Sequence, residues 1–180
     1  MADAAAAIMA PSEIDGNAWY HLTEHRVNFT SALFYNGNGS PYFARTDNQS
    51  FGMFWQVYRL ENGNFQFRNR NSNVRQQLGA CFIEAEVDSG KTQPCMRNSS
   101  ADLSQQWVLD RWSDGSFKIT NAENGTDRHL DWHPGNPGFL SPDTEELPKQ
   151  PAQHWYVSHA IQTMGRPLTA IQGILQSGSC

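Results

Sequence analysis

The residues best suited to chemistry gather in one segment, Arg128-His129-Leu130-Asp131-Trp132-His133. His129, Asp131 and His133 alternate, so on an extended strand all three face the same way. Imidazole and carboxylate together suit zinc or another divalent ion. Same-face neighbours on a strand lie about 7 Å apart, however, too far to share one ion without a bend. Pro134 and Gly135 could supply one, but a polar surface is the simpler reading, and no metal is expected.

Catalytic arrangements are missing elsewhere. There is no Gly-x-Ser-x-Gly elbow, no His-Glu-x-x-His pair and no phosphate-cradling glycine loop. The neighbouring carboxylates Glu84 and Glu86, and Glu145 and Glu146, read as solvated loop charges rather than a glycosidase acid and base. A non-enzymatic protein without a cofactor is expected. A net charge of −5 argues against nucleic acid, which demands clustered Lys and Arg, and against an anionic membrane surface. No apolar run approaches the roughly 20 residues that span a bilayer.

Positioning falls to a repeat. Phe54-Trp55-Gln56-Val57, Gln106-Trp107-Val108-Leu109 and His154-Trp155-Tyr156-Val157 each pair a Trp with an aliphatic residue two places on. The Trp residues are 52 and then 48 positions apart. Four places after each comes Arg59, Arg111 or His159, and eight after the first two comes Gly63 or Gly115. Those glycines sit in turns that open alternating segments, Phe65-Gln-Phe67-Arg-Asn69 and Phe117-Lys-Ile119-Thr-Asn121. Trp19-Tyr20-His21-Leu22-Thr23 is their N-terminal counterpart. Alternation bounded by Asn-Gly or Asp-Gly is a hairpin signature. Three strand-rich copies of about 45–50 residues predict an all-β fold, a β-trefoil of twelve strands about a pseudo-threefold axis. Trp55, Trp107 and Trp155 are then the structural core.

The 180 residues suit one domain over 15–160, preceded by a disordered tail at 1–14 and followed by a tail at 161–180. In that second tail Ile161, Met164, Leu168, Ile171 and Leu175 hint at a short amphipathic helix. The Ala-rich start lacks a basic segment and does not read as a secretory signal, so a cytoplasmic or non-classically secreted protein is expected. Sequons at Asn28, Asn38, Asn48, Asn98 and Asn124 would matter only after secretion.

The Trp motifs resemble the Gln-x-Trp repeats of the ricin B-type (R-type) lectin family, in its divergent fungal-like form. Gln105-Gln106-Trp107 and Gln153-His154-Trp155 match the motif, and Met53 replaces the Gln of the first copy. The resemblance covers roughly residues 15–160 and implies a shallow sugar site in each repeat. There an Asp following a Leu accepts bonds from vicinal hydroxyls, a ring stacks on the pyranose, and an Asn or Gln completes the polar contacts. Leu130-Asp131 keeps the carboxylate, whereas Leu33-Phe34 and Leu78-Gly79 have lost it. The implied carbohydrate site is therefore Asp131 with Gln153, and Trp132, His133 or Phe139 as neighbouring ring. The expected partner is a glycan or glycoconjugate; the alternative is a protein-binding trefoil of inhibitor or effector type. The family also implies a disulfide near Cys81 and Cys95, with two buried thiols as the other reading.

Overall fold

The computed structural model describes residues 9–45, 50–81, 92–132, 138–141 and 149–160. Twelve strands and six short 3-10 turns are the regular elements there. The strands are β1 (Tyr20–Glu24), β2 (Ser31–Phe34), β3 (Tyr42–Arg45), β4 (Trp55–Arg59), β5 (Phe65–Asn69) and β6 (Gln76–Cys81). They continue as β7 (Gln93–Asn98), β8 (Trp107–Arg111), β9 (Phe117–Asn121), β10 (His129–Asp131), β11 (Phe139–Ser141) and β12 (Trp155–His159).

Six strands close a ring. β1 pairs with β4, β4 with β5, β5 with β8, β8 with β9, β9 with β12 and β12 with β1, all antiparallel. The hairpins β2–β3, β6–β7 and β10–β11 stand outside it. A closed ring leaves no bare edge to aggregate.

The threefold correspondence extends to single atoms. Tyr20 meets Trp55, Phe65 meets Trp107 and Phe117 meets Trp155 at the joints of the ring. Each of these Trp residues is 0% exposed. Their Nε1–H groups donate to the carbonyls of Leu33, Leu78 and Leu130 at 2.8, 3.0 and 2.9 Å. Each indole so fills the core and ties its hairpin to the barrel. Burying about 200 Å² of ring is worth roughly 5 kcal/mol per Trp. Just before each Trp runs a 3-10 turn: Phe51–Met53, Leu103–Gln105 or Pro151–Gln153.

The turns close alike. Gly63 (φ +89°) and Gly115 (φ +85°) adopt left-handed backbone that a side chain would strain. They allow Leu60 N–H to reach the Asn64 carbonyl and Trp112 N–H to reach that of Ser116. In the third copy two distant stretches meet where the others have a turn, Ala160 N–H donating to the Trp19 carbonyl at 2.9 Å.

Of the expected N-terminal tail, residues 9–14 are described. Pro11–Glu13 form a 3-10 turn, Ile14 is buried in the main core, and the Arg111 side chain donates to the Met9 carbonyl. The segment 161–180, with its expected helix, lies outside the described residues. Cys81 and Cys95 are joined by a disulfide across β6–β7, their Cα atoms 5.9 Å apart.

Candidate functional site

The β10–β11 hairpin sets the third-repeat site. Its register places His129 opposite Ser141, Leu130 opposite Leu140 and Asp131 opposite Phe139. Directly opposed residues share a face, so the two leucines go to the core and Asp131 lies beside Phe139 on the other side. The 3-10 turn before β12 then supplies Gln153, whose Nε2–H donates to Asp131 Oδ2 at 3.2 Å. Asp131, Phe139 and Gln153 are thus brought together. Gln153 is wholly buried, Asp131 is 1% exposed, and Phe139 is half-buried.

Trp132 belongs to the main core cluster. It is 1% exposed, lies edge-on to Phe43 with centroids 6.1 Å apart, and sits flat enough on Gly138 that a Cβ there would strike the indole. The glycine is what lets the ring turn inward. His133 lies outside the described residues. No cluster of three metal-ligating side chains forms among the described residues. His129 packs against Trp112, ring centroids 5.7 Å apart, and burial lowers its pKa to about 4. The Lys118 charge adds to this, and Asp127 and Asp110 oppose it.

The equivalent positions in the other repeats show what replaced the carboxylate. Phe34 is buried with Ala32 and Met53, an apolar pair standing where Asp131 and Gln153 stand. At Gly79 nothing projects, and the Gln105 amide serves the main chain instead. Its Nε2 donates to the Asn98 carbonyl at 2.9 Å and its Oε1 accepts from Ser100 N–H at 3.0 Å.

The sequence reading missed Glu24. Glu24 pairs with Trp155 as Asn69 pairs with Trp55 and Asn121 with Trp107. The two asparagines donate to the carbonyls of Gly52 and Ser104 at 2.8 and 2.9 Å. Their oxygens accept from the N–H two residues on. Glu24 keeps only the second contact, from Arg26 N–H at 3.4 Å, and its other oxygen has no partner. Glu24 is 0% exposed, and burial raises its pKa to about 8, with the Asp131 charge adding to the rise against the effect of Arg26. Continuing the N-terminal strand by one residue, as Tyr20-His-Leu22-Thr-Glu24 beside Phe65-Gln-Phe67-Arg-Asn69, would have revealed it.

One cluster has the residue types of a hydrolase triad without its wiring. Asp114 Oδ2 and Ser116 Oγ both approach Nδ1 of His154, at 3.1 and 2.9 Å. A relay needs the serine on one ring nitrogen and the acid on the other. His154 and Ser116 are moreover fully buried, with the imidazole stacked on Trp112 at 4.7 Å. The arrangement anchors the 3-10 turn.

No protein-family model matches the sequence, and no curated protein matches it. Solved structures do match in shape. A designed threefold-symmetric protein, ThreeFoil, gives a TM-score of 0.61 at 19% identity, over 80% of this chain and 99% of its own. A mosquitocidal holotoxin gives 0.65 at 13% identity, over 82% of this chain but 18% of its own. A Polyporus squamosus lectin, bound to the human-type influenza-binding epitope Neu5Acα2-6Galβ1-4GlcNAc, gives 0.57 at 15% identity, over 79% of this chain and 49% of its own. Closed barrel, threefold hairpins and these likenesses together define the class: the chain is a β-trefoil. At such identities they speak for the fold alone.

Proposed function

We propose that the chain is a carbohydrate-binding module, lectin-like and non-enzymatic, with one sugar site in the third repeat. The observation that carries this is the Asp131–Gln153 pair with Phe139 across the hairpin. Of the three equivalent positions it alone keeps a charged acceptor, its amide partner and a neighbouring ring. Carboxylate acceptors make the stronger hydrogen bonds to hydroxyls, and a half-buried ring offers the apolar surface that a pyranose face needs. The saccharide-bound lectin among the structural neighbours supports the reading. Because Asp131 is 1% exposed, a sugar reaches it only when its cover moves, and affinity falls by the fraction of time the site stays shut.

A glycan array run with the native chain and with Asp131→Ala tests the assignment. Binding should be lost or fall at least tenfold in the variant; unchanged binding removes Asp131 from the site. A second reading, a protein-binding trefoil, draws on the two eroded repeats and on the exposed apolar residues Tyr42 and Leu103. A partner captured regardless of free sugar would favour it.

A further inference from the structure

Arg70, the residue after β5, carries a guanidinium packed against aromatic rings, with no ion-pair partner among the described residues. Its central carbon lies 4.4 Å from the Phe51 ring centroid, 5.5 Å from Trp19 and 5.7 Å from Phe54. Its backbone N–H is used, donating to the Phe54 carbonyl at 2.9 Å. Its side chain makes no hydrogen bond or ion pair among the described residues. The rings shield the face of the fork and hold it in one orientation, while the donors along its edge stay unspent.

Two further observations point to a ligand here. Phe51 is 48% exposed, so a large ring stands in solvent beside the cation. Trp19 Nε1 and His21 Nε2 are buried in the same aromatic cluster without any partner. Trp19 is 4% exposed, and His21 stacks on Phe54 with centroids 5.5 Å apart. Burial lowers the pKa of His21, which keeps that imidazole neutral at physiological pH. The cluster is not repeated. His25 and Ala122 occupy the positions of Arg70, as the matching N–H bonds to His154 and Gln106 carbonyls show.

A planar fork with free donors fits a carboxylate, which it grips through two parallel N–H···O bonds. An exposed ring beside it fits the apolar face of a pyranose. We propose that Arg70, Phe51, Trp19 and His21 form a second binding site, separate from Asp131, for a carboxylate-bearing sugar such as a hexuronic acid. The carboxylate lies on Arg70 and the sugar ring against Phe51, and a hydroxyl bonds the buried nitrogens of Trp19 and His21 only as a side chain of the cluster moves aside. With a chain of net charge −5, long-range attraction does not draw such a ligand, so recognition rests on the local fork.

The test uses the full chain, titrated with D-galacturonic acid and with its methyl ester, a neutral analogue of nearly the same shape. Tryptophan fluorescence and the arginine side-chain N–H signals in NMR report binding. The acid should bind at least tenfold tighter than the ester, and Arg70→Lys should lose most of that preference. Phe51→Ala, a change at an exposed ring, should weaken both sugars together. Asp131→Ala should leave the acid's affinity unchanged, which separates this site from the third-repeat pocket. The proposal is overturned if acid and ester bind alike, if neither binds, or if Arg70→Lys keeps the preference. It is equally overturned if acetate displaces the acid at equal concentration, because the sugar ring would then contribute nothing.

Discussion

Replacing Glu24 with Gln should abolish most of the loss of stability that the native chain suffers between pH 5 and pH 9. The position is built for an amide, since Asn69 and Asn121 fill it in the other repeats and donate through Nδ2 to a carbonyl. A carboxylate cannot donate; a protonated carboxyl can. Burial accordingly raises the folded pKa to about 8, against 4.5 for the free side chain. A raised acid pKa means that the folded chain holds a proton the unfolded chain gives up. The contribution is therefore complete below pH 4.5, declines as pH climbs, and is gone once pH passes about 8. At about 1.4 kcal/mol per pH unit the gap is worth at most about 5 kcal/mol. Water penetration and local relaxation bring the figure to roughly 2–4 kcal/mol. Urea unfolding at pH 5, 7 and 9, for native and Glu24→Gln chains side by side, measures it. Subtracting one curve from the other cancels the histidines, which titrate in both. Glutamine should match the native chain at pH 5 and exceed it by a few kcal/mol at pH 9. Parallel curves would refute the reasoning, because they would mean that Glu24 is ionised and adequately solvated in the fold.

The opposite sign applies to His129, whose folded pKa is lowered to about 4 by burial. Its contribution is present above pH 6.5 and fades as pH falls toward 4, so His129→Gln should flatten the acid limb by up to about 3 kcal/mol; an unaltered limb rules this out. Reducing the Cys81–Cys95 disulfide, which closes a sequence separation of 14, should cost about 3 kcal/mol in urea unfolding. Thiol titration of the denatured, unreduced chain should find one free thiol, Cys180; three would exclude the bridge.

The barrel was legible because its markers tolerate few substitutes. A Trp that must fill a core layer and donate to a carbonyl has no isostere, and a turn at φ near +90° selects glycine. Trp55, Trp107 and Trp155, with Gly63 and Gly115, therefore stand out at fixed spacing. The candidate site was less legible. Leu130-Asp131 and Gln153 could be picked from the repeat, because a residue next to an invariant landmark inherits its position. Trp132 could not be placed, since its inward turn depends on Gly138 across the hairpin, a tertiary contact absent from local pattern. The sequence pattern aligns the first strand on Trp19, yet the ring joint belongs to Tyr20. Trp19 corresponds instead to Asn64 and Ser116 at the turn. This offset of one residue leaves both Glu24 and the aromatic cluster around Arg70 without a signal in the local pattern.

The pocket position is free to drift for a reason that the hydrogen bonds make plain. The barrel asks only for the main-chain carbonyls of Leu33, Leu78 and Leu130, which the Trp residues hold whatever side chain comes next. Phe34, Gly79 and Asp131 can therefore differ without loss of the skeleton. Their partners from the 3-10 turns differ with them. Met53 meets Phe34 as apolar against apolar, the Gln105 stem passes over Gly79, and the Gln153 amide bonds Asp131. Of these solutions the third is the expensive one, because a carboxylate that is 1% exposed costs free energy that an apolar pair does not. It also raises the pKa of its neighbour Glu24. The other two repeats hold their hairpins without a carboxylate at that position. In the proposed function, hydrogen bonds from sugar hydroxyls to Asp131 are what would offset that cost.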